Sequence, residues 1–230
     1  MITFDELQRR LAYGQLKNTS AVGDTNLGEI CGEELPLVLS LTNQGLIDLA
    51  TRFPLYKSQV DLTFVDGQNL YPLLQANIGT TLTDSVDEPF LDTRFVKVLD
   101  VFDELGDRYS VNTNGHIMMP SYNTLRFTTA KIDEISAIGE ATGKVRIRYQ
   151  QKPVPITAND SMDLPPNLET ALQLFVAALY ISHMGGEQHS QKGDSYYGAY
   201  LRHIGEDEAK DLSSTSEVEE NDKFTDRGFV

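Results

Sequence analysis

Cysteine is nearly missing from this 230-residue chain: Cys31 stands alone, so no internal disulfide can form, and the composition fits synthesis in a reducing compartment. As a nucleophile it has no supporting residues around it. Basic side chains are also scarce. Lysine and arginine together number 19 against 34 aspartates and glutamates, a formal net charge of −15, which argues against the counterion-releasing surface of an ordinary DNA binder. Such an acidic surface still lets DNA move past, because like charges do not stick. No apolar run is long enough to span a membrane. The opening residues carry a helix signature where an export signal would carry a basic region and an apolar run, so a soluble, unexported chain is expected.

Catalytic groupings are equally thin. Of the four histidines, His116, His183, His189 and His203, two can approach each other across Gly185-Gly186, but His183 and His189 have no carboxylate or cysteine at ligand spacing. There is no glycine-rich phosphate loop and no identifiable pair of buried carboxylates, so a hydrolase using acidic residues has nothing to stand on. We expect no enzyme, no cofactor and no metal.

What is present is 40% apolar residues, enough for one core, or one core and a smaller satellite. The stretch from Asp163 to Ile204 organises the rest. Leu168, Leu172, Phe175 and Leu179 recur at helical spacing while Ala171, Val176, Ala178 and Ile181 fill the other faces, so this helix has to be buried. Pro165 and Pro166 suit a first turn, Glu169 lies near the positive helix end, and Gly185-Gly186 can stop the helix. A second helix from about Gln188 places Tyr196, Tyr200 and Ile204 in one row, with Tyr197 and Leu201 in the next. That makes it an amphipathic partner for the first.

At the amino end, Thr3 followed by Glu6 forms a capping box for a short helix through Leu7 and Leu11. Helices of that length are marginal alone, so it must dock. Leu16 to Gly32 reads as a loop. Leu35, Val38, Leu39, Thr42, Leu46, Leu49 and Phe53 then recur at the helical period behind Pro36, with Gly45 as a weak point. Its buried stripe and the apolar helix at 168–184 are natural mates, which makes everything between them an insert.

The insert reads as β. Val60, Leu62 and Phe64 alternate with polar residues, as do Val145, Ile147 and Tyr149, and Val96, Val98 and Phe102 lie in a third run. Leu105-Gly106-Asp107 marks one turn, and Asn114-Gly115 another between short segments at Tyr109–Val111 and Ile117–Met119. Leu125 and Phe127 suggest a further strand, while the polar run from Ala76 to Pro89 reads as a loop or arm.

After Gly205 the composition changes. Acids from Glu206 to Asp226 outnumber Lys210, Lys223 and Arg227, and the large apolar groups come only at Phe224, Phe229 and Val230. A segment of this kind does not fold alone. Extended at roughly 3.3 Å per residue, it could span about 80 Å, against a radius of gyration of about 17 Å for the body. The expected class is therefore α+β: a helical bundle from residues 1–55 and 156–205, an inserted antiparallel β module at 56–155, and an acidic C-terminal arm at 206–230.

The opening Phe4-Asp5-Glu6-Leu7-Gln8-Arg9-Arg10-Leu11-Ala12-Tyr13-Gly14-Gln15-Leu16, with Leu164-Pro165-Pro166-Asn167-Leu168-Glu169-Thr170-Ala171-Leu172, Val176-Ala177-Ala178-Leu179-Tyr180 and the tyrosine-rich helix that follows, resembles tailed-bacteriophage head-to-tail adaptor (head completion, or connector) proteins. The order of modules agrees over most of the chain. The resemblance implies a structural virion protein in the neck, whose copies form a ring beneath the portal protein and extend the channel through which genome DNA leaves the capsid. It implies twelve-fold symmetry, contacts between adjacent adaptor subunits, and a downstream tail or nozzle protein as a further partner. DNA would pass without sequence-specific binding, and no membrane is involved. The acidic arm occupies the position of the family's portal-docking segment, with Phe224, Phe229 and Val230 as its candidate anchors. The alternative is a neighbouring neck or tail component, such as a stopper, tail-tube or nozzle subunit.

Overall fold

A computed structural model of the chain describes residues 2–22, 28–84, 89–113, 115–138 and 143–210. The amino end supplies β1 (Ile2–Thr3), α1 (Phe4–Tyr13) and α2 (Leu35–Arg52). The middle supplies β2 (Lys57–Thr63), β3 (Leu70–Pro72), β4 (Leu82–Asp84), β5 (Phe95–Phe102), β6 (Arg108–Tyr109), β7 (Ile117–Ser121), β8 (Thr124–Phe127), α3 (Thr129–Ile138) and β9 (Lys144–Gln151). Then come β10 (Ser161–Met162), α4 (Pro166–His183) and α5 (Glu187–Lys210). Two compact units result: residues up to Phe53 with those from Val154, and Pro54–Pro153. The fold is α+β.

In the helical unit, α4 is the hub. Nine of its residues, from Leu168 to Ile181, are buried, and α1, α2 and α5 all pack on it, as an all-round apolar helix requires. The N-cap of α1 is Thr3, whose hydroxyl accepts the amide of Glu6 at 3.1 Å. The Glu6 carboxylate itself takes Arg10. Gly45 is no weak point in α2. A Cβ there would lie 2.7 Å from Leu172 Cδ1 and 2.9 Å from Phe175 Cδ1, so the missing side chain is what lets α2 approach α4. Gly193 does the same for α5, where a Cβ would meet Ser182 Oγ and lie 3.0 Å from the Ala178 carbonyl. Between α4 and α5 the chain reverses through Gly185 (φ 72°) and Gly186 (φ 85°), a left-handed path that side chains resist.

Helix α5 runs through to Lys210. Residues 206–210, which composition assigns to the arm, are thus helical, and Asp207 is buried at 4% exposure. The reason is local: its carboxylate reaches the first turn of α4, as described below. Phe224, Phe229 and Val230, with all of 211–230, lie outside the described residues.

The β unit holds a five-stranded antiparallel sheet, order β4-β2-β9-β5-β6, and a three-stranded one, order β3-β8-β7. Central β9 pairs with β2 from Lys57↔Gln150 to Thr63↔Lys144. Its alternation sends Val145, Ile147 and Tyr149 into a core shared with Val60, Leu62, Tyr71, Leu125 and Phe127, onto which Ile132 and Ile135 of α3 pack. Three readings change here. The run from Ala76 to Pro89 contains β4, which pairs with β2 and fully buries Leu82. The segments flanking Asn114-Gly115 do not form a hairpin: Tyr109 belongs to the larger sheet and Ile117 to the smaller. Asn112, at φ 64°, turns the chain, its amide donating to the Ile117 carbonyl and its Oδ1 accepting the Met119 amide at 2.8 Å. Asn114 lies outside the described residues. Finally, α3 carries no periodicity strong enough to announce it.

Candidate functional site

The polar side chains of the helical unit tie helices together. Arg10 on α1 bridges Glu6 and, at 2.7 Å, Glu169 in the first turn of α4. Both carboxylates hold its proton more tightly than usual. Tyr200 on α5, fully buried, donates its hydroxyl to Asp48 on α2, whose other bond comes from Arg52 Nε at 2.9 Å. Burial, then the bond to Asp48, pushes the Tyr200 hydroxyl well above the usual phenol range, so it stays a donor. Tyr180 of α4 lies 3.3 Å from the Ser20 hydroxyl. Of the predicted tyrosine rows, Tyr200 and Ile204 face the core, while Tyr197 and Leu201 remain 38% and 42% exposed.

The end of α5 is the point from which residues 211–230 continue, and it is fastened to the start of α4. Asp207 Oδ2 accepts Asn167 Nδ2 at 3.2 Å and lies 3.8 Å from His203 Nε2, which is 2.8 Å from the Asn167 carbonyl. A carboxylate at the amino end of α4 also meets the positive end of that helix dipole. The end of α5 is therefore held against α4; Phe224, Phe229 and Val230 lie outside the described residues.

In the β unit the buried acids are equally committed. Asp100 on β5 is clasped by Arg148 Nη2 at 2.5 Å and Arg108 Nε at 2.6 Å. Asp103 accepts the amides of Leu105 and Asp107, both at 2.9 Å, and the Tyr109 hydroxyl at 2.8 Å, which shapes the β5–β6 turn. Burial, reinforced by that bond, raises the Tyr109 hydroxyl above its usual range. Asp103-Glu104-Leu105-Gly106-Asp107 carries a turn-forming aspartate pattern that signals the role of Asp103; nothing local signals that of Asp100 or Asp207. On the outer face Arg146 pairs with Asp61 at 3.0 Å.

Among the described residues no group of three or more His, Cys, Asp or Glu could hold a metal ion. His183 and His189 flank the glycine turn as surface or half-buried groups. No described helix is long and apolar enough to cross a membrane. Large apolar side chains do stand out on the surface, Tyr13 at 63% in the helical unit, Leu105 at 72% and Tyr122 at 69% in the β unit.

Among the described residues the buried acids Asp100, Asp103 and Asp207 all hold elements of the fold together, and apolar side chains protrude from the surface. The chain belongs to the SU10 adaptor protein family, whose sequence profile matches residues 2–219. This is a family of phage head-to-tail adaptors, structural and not enzymatic. Membership implies interaction with phage portal and tail proteins and a place in the virion neck. Comparison with curated proteins gives no match.

Proposed function

We propose that copies of this protein assemble side by side as a twelve-membered ring on the phage portal and extend the channel for genome DNA. The C-terminal segment attaches the ring, with Phe224, Phe229 and Val230 as anchors. The observation that carries this reading is the family match, which covers both units and continues past Lys210 to residue 219. The acidic composition supports it further, since a channel wall of like charge lets DNA slide. Ordering a free segment on contact costs about 2 to 5 kcal/mol, and a ring offsets that by presenting many copies at once.

The test uses the full chain. Phe224→Ala with Phe229→Ala removes two aromatic anchors, each expected to contribute about 2 kcal/mol, so portal affinity measured by surface plasmon resonance should drop by about three orders of magnitude. A truncation ending at Lys210 should abolish binding while leaving Asp207 and the α4–α5 fastening intact. Undiminished portal binding by that truncation would remove the segment from the mechanism.

A further inference from the structure

The register of the five-stranded sheet gathers charge that the sequence scatters. Residues directly across an antiparallel pair share a face, so Lys57 and Asp61 of β2 stand on the same side as Arg148, Arg146 and Lys144 of β9. Lys97 and Asp100 of β5 join them opposite Gln150 and Arg148, and Arg108 of β6 joins them opposite Phe102. Val60, Leu62, Val145, Ile147 and Tyr149 take the other face, with the core. On the outer face, then, the strands set six cations against two carboxylates in a chain of net charge −15. Glu104, in the β5–β6 turn, lines the same groove as Lys144 and Arg146. The excess lies at the opposite end, where Lys57 and Lys97, both exposed, flank Gln150. With neighbouring strands about 4.8 Å apart, the backbones of these two lysines are about 10 Å from each other.

A two-fold contact through this face would set lysine against lysine. Its partner on a second copy has to be a different, acidic surface, the head-to-tail arrangement that closes rings. Residues 154–230 supply the acids: they hold 14 against five lysines and arginines, whereas ten of the 19 basic residues fall in 54–153. The end of α5 presents such a surface among the described residues. Asp207 turns in to α4, and Glu206 and Glu208 stand exposed on its two flanks, each about 100° around the helix from it. The ridge between them is Gly205, where a Cβ would meet nothing within 4 Å. Arg202, one turn earlier, reaches back to the Gly198 carbonyl at 3.4 Å. Glycine inside a helix costs about 1 kcal/mol relative to alanine, and unlike Gly45 and Gly193 this one has no neighbour among the described residues to account for it. A bare ridge lets a flat surface come close. Glutamates on the two flanks of a helix about 10 Å across are spaced as Lys57 and Lys97 are.

We infer that the end of α5 in one copy docks on the cationic outer face of the five-stranded sheet in the next, Gly205 against Gln150, with Glu206 and Glu208 towards Lys57 and Lys97. The inference rests on the side-by-side assembly proposed above and names its two surfaces. It leaves Phe224, Phe229 and Val230 to the portal.

The experiment follows self-association of the full chain by sedimentation velocity, alone and with portal, across a salt series. Association of the natural protein should weaken as salt is raised. Lys57→Glu with Lys97→Glu should weaken it about tenfold, as should Glu206→Lys with Glu208→Lys, and all four changes together should restore it to within about threefold. Both lysines are exposed, and cations suit the end of a helix, so circular dichroism should show each variant folded. Gly205→Gln should raise the melting temperature of the dilute protein and still weaken association, a split that a purely internal role for the glycine would not produce. Undiminished association in either charge-reversed pair, no recovery when all four are combined, undiminished association in the glutamine variant, or no association of the natural protein in either sample would each overturn the inference. Association in solution with no adaptor bound to portal would instead overturn the portal reading and leave this one standing; full rings on portal from the Lys57→Glu, Lys97→Glu protein would do the reverse.

Discussion

The hydroxyl of Tyr200 on α5 donates to the carboxylate of Asp48 on α2, joining residues 152 positions apart. Removing Asp48 strands the buried Tyr200 hydroxyl, whereas removing that hydroxyl leaves Asp48 one partner fewer. Tyr200→Phe leaves Asp48 with Arg52 alone, and a bond to a charged group at a buried site is worth about 2 kcal/mol. Urea unfolding at neutral pH should show that loss with an unchanged m value. The same pair sets an alkaline limit. The folded chain keeps the phenolic proton at a pH where the unfolded chain, titrating near 10, has lost it. The folded state then binds more protons, so stability should fall as pH rises past about 10. Thermal melts between pH 8 and 11 should show a steeper decline for the natural protein than for Tyr200→Phe.

Gly45 and Gly193 both permit close helix approach, and they should differ in cost. At Gly45 a Cβ would press on Leu172 and Phe175, two buried side chains with nowhere to move. Overpacking of this kind costs about 1 to 3 kcal/mol, more than the roughly 1 kcal/mol that alanine adds to helix propensity. At Gly193 the nearest atom is the hydroxyl of Ser182, an exposed side chain that can rotate away. Denaturation of both alanine variants should therefore rank Gly45→Ala as the more damaging; the reverse order would mean that α2 can slide on α4.

Asp100 pairs with both Arg148 and Arg108 in the β unit. Removing one partner of a fully buried pair costs about 3 to 5 kcal/mol. Here the carboxylate is buried, but the Arg108 side chain is 46% exposed and can regain water. We expect Asp100→Asn to destabilise by about 2 kcal/mol, read by chemical denaturation followed through the tyrosine-rich core of this unit.

Where α5 ends matters for any truncation. A chain stopped at Lys210 keeps Asp207 at the amino end of α4, whereas one stopped at Gly205 loses both that charge and the bond from Asn167. The shorter chain should be less stable by about 1 kcal/mol, visible as a lower melting temperature. Equal melting temperatures would show that the α5 terminus contributes nothing.

Asp160 gives a prediction at acid pH. Its carboxylate accepts the amide and the hydroxyl of Thr157 at 2.7 and 2.9 Å, and these two bonds hold its pKa below the usual range. The stabilisation is present above the ordinary carboxylate pKa and is lost as pH falls through the lowered folded value. Asp160→Asn should flatten that part of the acid unfolding profile, measured by circular dichroism.

Much of the helical body was legible because burial there repeats with the helix itself. Leu168 to Ile181 is apolar all round, and only a central position satisfies it; the glycine pair after it stops one helix before the next begins. The alternation of Val145, Ile147 and Tyr149 marks β9 for the same reason. Strands of two or three residues, such as β1, β4 and β10, are too short to show any period, and α3 shows a weak one. The portal anchors Phe224, Phe229 and Val230 come from sequence and family likeness and lie outside the described residues.

The sequence by itself determined that the chain is α+β, where its long helices and central strand run, and that its surface carries excess negative charge. Tertiary structure decided which tyrosine row is buried, why α2 has a glycine in its middle, how Asp100, Asp103 and Asp207 are neutralised or bonded, and that α5 extends to Lys210. Periodicity orients a side chain about its own helix or strand axis. It does not identify the neighbour across the contact, and each of these outcomes depends on that neighbour: Leu172 for Gly45, Asp48 for Tyr200, Arg148 for Asp100, and Asn167 for Asp207.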